Sequence, residues 1–558
     1  MYTQIPALLQ RAIQLFQQGE IPQAQANLEK LLQAQPRHFD ALHVMGVIKA
    51  MAGQREDAIE LFRKALAQNK NHSFLQFNLA KALSESGRDE EALVHHKRAS
   101  QLAPAHLDSW INFGISLRKL DRNTEALDCF LKATALNPES PVAWNNVGVV
   151  QQKLGLTQEA LAAFDKALSL QPNFIDALIN KSVSLDESGS RTEALRYVEE
   201  ALALDPHLAT AWNAKGVVLA GMDRDDQALA CYEKAMGLAS DWAEPALHKA
   251  HLLLRMHQFE QGWALFESRW AVGDLKRRPL DTSRPRWAGD ASDGPLLLWG
   301  EQGIGDQVLY ASILPELATL PQKKHVALDK RLIPLFQRSM TGFDFVDLAA
   351  VSDALDFAVQ LPLGSLPRLF RPDLASFSRA RHPYLRADAD RSVELRGKIA
   401  QQGRLICGVS WVSKRPDLGH FKSMDLAQML LPLASPRLHF VDLQYGDTAA
   451  ERQTLQQTHG IEVQHLDEVD NFNDIDGLAS LIQACDVVVT TSNSTAHLAG
   501  ALGKRTLLLL PSGKGQLWYW AEINSHIPWY PSIQAFRQQE VGNWHHPLQA
   551  IKAVLEKL

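Results

Sequence analysis

The sequence predicts an N-terminal all-α solenoid followed by an α/β domain of two doubly wound halves. Three observations lead there. A period of 34 residues runs without insertion from residue 5 to 276, the mark of a repeat array. Past residue 277 the composition turns rich in Pro, Asp and Arg, in "RRPLDTSRPRWAGDASDGP". From residue 295 short apolar runs alternate with helical stretches, as in a parallel sheet. The 558 residues allow three or four domain-sized units, and 46% apolar with 22% charged content is ordinary for a globular chain. A net charge of −6 argues against a nucleic-acid partner held by phosphate neutralisation. The cysteines Cys129, Cys231, Cys407 and Cys485 show no CxxC spacing and read as small buried hydrophobes of a reducing compartment. The start "MYTQIPALLQRAIQLFQQGE" lacks the basic flank and apolar core of a signal peptide, and no apolar run is long enough to span a membrane. A cytoplasmic location is the expectation.

The repeats are justified position by position. Units start at Ile5, Phe39, Ser73, Leu107, Pro141, Ile175, Ala209 and Ala243. Position 8 is small throughout (Ala12, Gly46, Ala80, Gly114, Gly148, Ser182, Gly216, Ala250), and position 20 is alanine from Ala24 to Ala228, then Gly262. Small side chains there let paired helices approach closely. Position 24 is mostly large (Phe62, Phe130, Phe164, Tyr232, Phe266) and fills the space between helices. Proline at position 32 (Pro36, Pro104, Pro138, Pro172, Pro206) stops the second helix. The pattern over residues 5–276 resembles the tetratricopeptide repeat (TPR).

Position 6 is asparagine in successive units: Asn78, Asn112, Asn146 and Asn180. At 100° per residue it lies roughly 150° from the centre of the packing face, so it points to the inner groove. An asparagine offers both donor and acceptor to a peptide backbone. Helices about 8–10 Å apart match every third residue of an extended chain rising about 3.3 Å per residue. The ladder resembles that of TPR-containing O-GlcNAc transferases, which implies acceptor-protein binding in the groove.

The α/β part opens with "PLLLWGEQGIGDQVLYASILPELATL" and "HVALDKRLIPLFQRSM". A second series runs from "RLICGVSWVSKRPDLGHFKSMDLAQMLLPL" through "LHFVDLQYG" to "TTSNSTAHLAGALGKRTLLLLP". Two Rossmann-like halves with a cleft between them follow, and the boundaries expected are 5–276 solenoid, 277–294 linker, 295–400 first half and 401–558 second half. In the second half a strand, Val487–Val489, ends in small polar residues ahead of a helix. A helix N-terminus there presents free N–H groups and partial positive charge, and Ser492, Asn493, Ser494 and Thr495 add polar groups suited to a phosphate. His497 stands in the first turn. Lys414 and Lys422 are candidate phosphate partners, and Gln444 and Tyr445, just past a strand, are candidate base contacts. Gly500 and Gly503 relieve crowding.

"GEQGIGDQVLYASILP" and "SNSTAHLAGALGKRTLLLLP" resemble the Gly-Asp opening and the donor signature of heptosyltransferase-like enzymes with the GT-B fold. "LWYWAEINSHIPWYPSIQAFRQQEVGNW" resembles bacterial TPR glycosyltransferases, including those that modify flagellin. The resemblance covers residues 293–558. It implies an inverting, metal-independent protein O-glycosyltransferase with no cofactor, a nucleotide-sugar donor in the second half, and flagellin or another surface protein as acceptor. It implies Asp306 as the catalytic base, on a loop that Gly303 and Gly305 let turn tightly. Partial burial should raise the pKa of such an aspartate. Heptosyltransferases carry an aspartate ahead of the donor turn, where this chain has Thr491, Ser492 and Asn493. That departure moves the expectation to cytidine-linked nine-carbon sugars such as CMP-pseudaminic acid.

Other readings compete. "GIGDQV" with Asp329 mimics a dinucleotide fingerprint, but Val308 stands at the third glycine position. "DAD" at Asp388–Asp390 mimics a metal motif and equally suits a helix start. No His/Cys cluster has metal-ligand spacing. Transfer to lipopolysaccharide or glycolipid, and a non-enzymatic TPR scaffold, are the alternative functions; the asparagine ladder and the lack of a basic amphipathic membrane helix favour a protein acceptor.

Overall fold

The computed structural model describes residues 5–272, 280–290, 294–352, 355–414 and 418–558. Two compact units divide the chain, 1–185 and 186–558.

The first unit is all-helical. Antiparallel pairs run from Ile5–Gln17 and Ile21–Ala34 to Pro141–Lys153 and Thr157–Leu170, with the sixth unit's first helix, Ile175–Glu187, at its end. The small residues of position 8 have a defined partner. A Cβ on Gly46, Gly114 or Gly148 would sit 2.5, 2.7 or 2.6 Å from the ring of Phe62, Phe130 or Phe164, at position 24 of the same unit. Where position 24 is smaller or less bulky (Leu28, His96), position 8 is alanine (Ala12, Ala80). The two positions therefore divide one volume. Second helices end two residues before the position-32 proline, as at Leu102 before Pro104. That proline's carbonyl accepts the indole N–H of the next unit's position-4 tryptophan, Trp110 to Pro104 and Trp144 to Pro138, both at 2.9 Å. Position 15 of each unit adopts the left-handed conformation, on glycine at Gly19, Gly53, Gly87 and Gly155 and on aspartate at Asp121.

The second unit begins with the remaining repeats, from Arg191–Leu204 to Phe259–Phe266. The last repeat is built into the α/β core. Phe259, Trp263 and Phe266 share one apolar cluster with β-strand and helix residues, and Trp263 Nε1 donates to Arg371 O at 2.8 Å. The expected linker, 277–294, lies outside the described residues at 277–279 and 291–293. Its described part is not a free tether: Gln360 N donates to Pro285 O at 3.0 Å, Trp287 N to Gln360 O at 2.8 Å, and Trp287 is buried.

Two all-parallel sheets follow. The first comprises β1 (Leu296–Trp299), β2 (Lys324–Leu328), β3 (Asp344–Asp347) and β4 (Val359–Pro362), ordered β3-β2-β1-β4. The second comprises β5 (Leu405–Ser410), β6 (Leu438–Asp442), β7 (Val463–Gln464), β8 (Val487–Thr491), β9 (Thr506–Leu510) and β10 (Ile533–Arg537), ordered β10-β9-β8-β5-β6-β7. β1, β5 and β8 are buried along nearly their whole length, as strands covered on both faces must be. Each sheet reverses strand order once, beside β1 and between β5 and β8. Ligands of open α/β sheets bind outside the strand C-termini at such points. Among the described residues no helix is long and apolar enough to cross a membrane.

Two stability predictions follow from the repeats. Gly148→Ala should cost about 1–3 kcal/mol by overpacking, read from thermal denaturation, and adding Phe164→Leu should recover part of it. His96 is buried with both ring nitrogens unpartnered. Burial, aided by His95 and Lys119, lowers its pKa from 6.5 to about 3. A lowered folded pKa means stability present above pH 6.5 and lost as pH falls toward 3, by up to about 1.4 kcal/mol per pH unit. His96→Leu, which matches the Leu28/Ala12 pairing of the first unit, should flatten that acid limb in urea titrations at pH 4.5 and 7.5.

Candidate functional site

The site is where the two switch points meet. The helix Ile304–Ala311 follows β1, and the helix Ser494–Ala501 follows β8. They pack against each other. Their first turns touch at one point: a Cβ on Gly305 would lie 2.8 Å from His497 Cδ2. Tyr384 clips the pair together. Its backbone N and that of Leu385 donate to Ala501 O at 3.1 and 3.2 Å, and its hydroxyl donates to Val308 O at 2.7 Å.

That committed hydroxyl fixes the protons around His497. Tyr530 hydrogen bonds to Tyr384 and lies 3.0 Å from His497 Nδ1. The Tyr384 O–H points at Val308 O, so Tyr530 donates to Tyr384 and His497 Nδ1–H donates to Tyr530. The Nε2 atom is left as an acceptor on the Gly305 side. Burial, with Lys422 nearby, lowers the His497 pKa to about 3, so the ring is neutral at physiological pH. Trp520, at 4.7 Å between centroids, and Tyr519 and Tyr530, at 5.2 and 5.7 Å, enclose it. This aromatic cage was not read from the sequence; its residues lie in the "LWYW" and "WYPS" segments, well separated from His497 in the chain.

The polar junction ahead of Ser494 divides into braces and open groups. Asn493 is a brace. Its Oδ1 accepts from Thr495 N at 3.0 Å and Ala496 N at 3.4 Å, and its Nδ2 donates to Ser410 Oγ at 2.8 Å and Val412 O at 3.3 Å. Gln444, expected to contact a base, is also a brace. It is buried, and its Oε1 accepts from Ser410 Oγ, Trp411 N and Val412 N at 2.8–3.0 Å. The chain Asn493–Ser410–Gln444 ties together the ends of β8, β5 and β6. Ser492 accepts from Trp520 Nε1 at 2.8 Å. What remains at the helix start is half-exposed Ser494 and buried Thr495, whose Oγ1 has no partner.

Lys422 is buried and near enough to His497 to influence it electrostatically. Its Cγ lies 3.2 Å from where a Cβ on Gly515 would be. Lys414 and Tyr445 lie further along the rim, past β6. Lys414 N donates to Tyr445 Oη at 2.9 Å, and its exposed ammonium stands 5.9 Å from that ring. Asp306 is half-buried in the first turn of its helix, which Gly303 caps without a side-chain bond. Its carboxylate reaches far enough to act electrostatically on Tyr530. The decoys resolve simply. Asp329 is held by Arg331 at 2.8–2.9 Å, and Asp388 caps the helix Ala389–Ile399 through Arg391 N.

The loop carrying Gly303 and Asp306 is anchored by a buried arginine that the sequence did not flag. Arg269 is fully buried, and all five N–H donors are used. Nε and Nη2 grip Glu301 at 3.1 and 3.0 Å, Nη2 also reaches Ser365 at 2.9 Å, and Nη1 reaches Phe266 O and Glu267 at 3.1 and 2.8 Å. Phe266 and Trp270 each stand 4.6 Å from the guanidinium.

In the solenoid the asparagines do not form a uniform rail. Asn78 Nδ2 meets His43 Nε2 at 2.9 Å, and Asn180 Nδ2 donates to Asn145 Oδ1 at 3.0 Å. Each bonds position 5 of the preceding unit, where that residue is polar. Phe77 and Ile111 offer no such partner. Asn112 and Asn146 instead fold back on Asp108 O and Val142 O, at 2.8 and 2.9 Å. The central pair is therefore untied to its neighbours, and the outer pair acts as pins.

Sequence profiles of the tetratricopeptide repeat match residues 9–71, 49–94, 107–140, 141–174 and 180–243. The chain carries tetratricopeptide repeats. It is 26% identical over 331 residues to protein FlbA of Caulobacter vibrioides, covering 55% of this chain and 54% of that one. It thus spans about half the length of the curated relative it matches. Among solved structures, a tetratricopeptide repeat protein of Parabacteroides merdae aligns with 44% of this chain and 98% of its own, at 17% identity and TM-score 0.39. YrrB, described as a TPR protein with an unusual peptide-binding site, aligns with 34% of this chain and 97% of its own, at 28% identity and TM-score 0.28.

The pin and groove roles separate in stability. Asn180→Ala strands the buried Asn145 carbonyl and should cost about 0.5–1.5 kcal/mol. Asn146→Ala loses only a bond within its own helix and should stay within about 0.5 kcal/mol of wild type. Urea denaturation of the two variants compares them directly.

Proposed function

We propose that this chain is a protein O-glycosyltransferase with a GT-B arrangement. It moves a sugar from a nucleotide donor to a Ser or Thr hydroxyl of a protein held by the repeats. The observation that carries the reading is the helix start at Ser494. An unpartnered, buried Thr495 hydroxyl stands there in the same turn as His497, which rests on Gly305, and the buried Lys422 is near enough to act electrostatically on that histidine. That combination suits the phosphate of a leaving nucleotide. The sequence resemblance to heptosyltransferase-like enzymes supports it independently.

In this reading Asp306 takes the proton of the acceptor hydroxyl, whose oxygen attacks the anomeric carbon. The bond from that carbon to the donor phosphate oxygen breaks on the opposite face, so configuration inverts. The negative charge left on the phosphate is held by Lys422, Ser494, Thr495 and the helix N-terminus. His497 holds geometry: neutral, it adds no charge, and its Nε2 accepts a hydrogen bond. Tyr445 and Lys414 flank the nucleotide end, with cytidine-linked nine-carbon sugars such as CMP-pseudaminic acid as the donor class. Asn112 and Asn146 hold the acceptor backbone, with flagellin or another surface protein as the acceptor and the cytoplasm as the place of reaction.

Asp306→Asn tests the chemistry. An acid in the first helical turn is worth about 0.3–1 kcal/mol of stability, whereas a general base contributes typically 10²–10⁴-fold in rate. The variant should melt within a few degrees of wild type, bind donor in calorimetry with a panel of CMP-, UDP- and GDP-sugars, and fail to transfer. Near-normal transfer would remove Asp306 from the mechanism. Failure of the wild type to bind any member of the panel would leave a TPR scaffold as the function.

A further inference from the structure

A second group of buried donors lacks partners, and the mechanism above uses none of them. Ser512 Oγ, Gln538 Nε2 and Arg191 Nη2 are all buried atoms without a hydrogen bond. They are close neighbours. Gln538 Oε1 accepts from Ser512 N at 3.2 Å and from Gly542 N at 3.3 Å, which aligns the amide and leaves its N–H₂ over. Arg191 Nη2 presses on Gly513, where a Cβ has no room and φ is +77°. Asp186 Oδ1 accepts from Arg191 Nε at 3.3 Å and balances its charge, while Nη2 has no hydrogen bond.

Native proteins leave few buried polar atoms unpaired. Here three polar atoms of different residue types lie near one another, each without a hydrogen bond among the described residues. Their place is informative. Ser512 and Gln538 follow the C-terminal ends of β9 and β10, beside β8 on the rim that carries the Ser494 helix, with strands about 4.8 Å apart. Gly515, in the same turn as Gly513, packs on Phe421 and Lys422. The cluster therefore adjoins the phosphate end of the cleft, and Arg191 comes to it from the repeats.

We propose that Arg191, Ser512 and Gln538 form an oxyanion subsite beside the phosphate cradle, occupied by a carboxylate or phosphate group of the ligand in the cleft. The inference rests on the donor reading above, in which that group belongs to the transferred sugar. A guanidinium edge and an amide N–H₂ are donors only, and a hydroxyl can donate alongside them, which suits an oxyanion.

Calorimetric and NMR titration of the full chain tests it, with N-acetylneuraminate, its methyl ester, inorganic phosphate and pyrophosphate as probes. Two variants serve: Arg191→Gln, and Gln538→Glu, which keeps both backbone bonds to Oε1 and turns the donor into a charge. The expected result is binding of the sugar acid at least tenfold tighter than its ester, and loss of that difference in both variants. Pyrophosphate should bind Arg191→Gln as it does wild type. Phosphate that displaces the sugar acid from wild type, and binds Gln538→Glu at least tenfold more weakly, identifies a general oxyanion site and also supports the proposal. Equal binding of acid and ester, with phosphate binding unchanged in both variants, overturns it. The cradle is read separately: pyrophosphate binding that Lys422→Ala abolishes leaves the donor reading standing even if the subsite fails.

Discussion

The site depends on the missing side chain at Gly305. Without a Cβ there, the first turn of one helix rests on the imidazole of the other, and the helices that follow β1 and β8 pack together. The contact has an electrostatic cost. Two helix N-termini, each with partial positive charge, are brought together beside a buried lysine. A charged histidine at the contact would add to the repulsion. Burial keeps His497 neutral instead, and Asp306 places a carboxylate in one of the two first turns. Two converging helix N-termini and a buried lysine leave the local field positive, which is the field that the proposed donor phosphate would meet.

The second constraint is the fusion of the last repeat to the α/β core. Arg269 belongs to the end of the repeat array, while Glu301 and Ser365 belong to the loops after β1 and β4. A fully buried arginine is tolerable only when every donor is used, so the geometry of those loops is fixed to that of the last repeat. Arg191 repeats the theme from an earlier unit, against the turn after β9. The repeats of the second unit are thus part of the scaffold that fixes the loops after β1, β4 and β9.

The repeat array was legible because its signals are local and periodic. Position 8 and position 24 share one volume, so each unit states its own packing in the sequence. The α/β alternation was equally plain. The site was legible only as a set of segments. Asn493 and Gln444 are the right residue types in the right place, yet the fold spends them on tying β8, β5 and β6 together. Tyr384, Tyr530, Trp520 and Arg269 carried no local signal, because each acts through a partner distant in the chain. The asparagine ladder is legible only in part: its register is visible, but whether a given asparagine is tied to its neighbour depends on position 5 of the unit before it.

That dependence supplies the criterion that separates bracing from binding. Asn, Gln, Ser and Thr serve both purposes, so residue type cannot decide. What decides is the account of donors and acceptors once the chain has folded. Asn78 and Asn180 are used between units; Asn493 and Gln444 are used within the rim. The Thr495 hydroxyl is left over at the Ser494 helix start; Ser512 and Gln538 are left over one and two strands along, with Arg191 reaching them from the repeats. His96 is left over too, but among apolar neighbours, at a position where other units carry Phe or Leu, and it reads as a core residue paying for its nitrogens. Leftover donors that converge on a strand rim are another matter. Their desolvation has already been met by folding, so an oxyanion arriving there gains its hydrogen bonds without that cost.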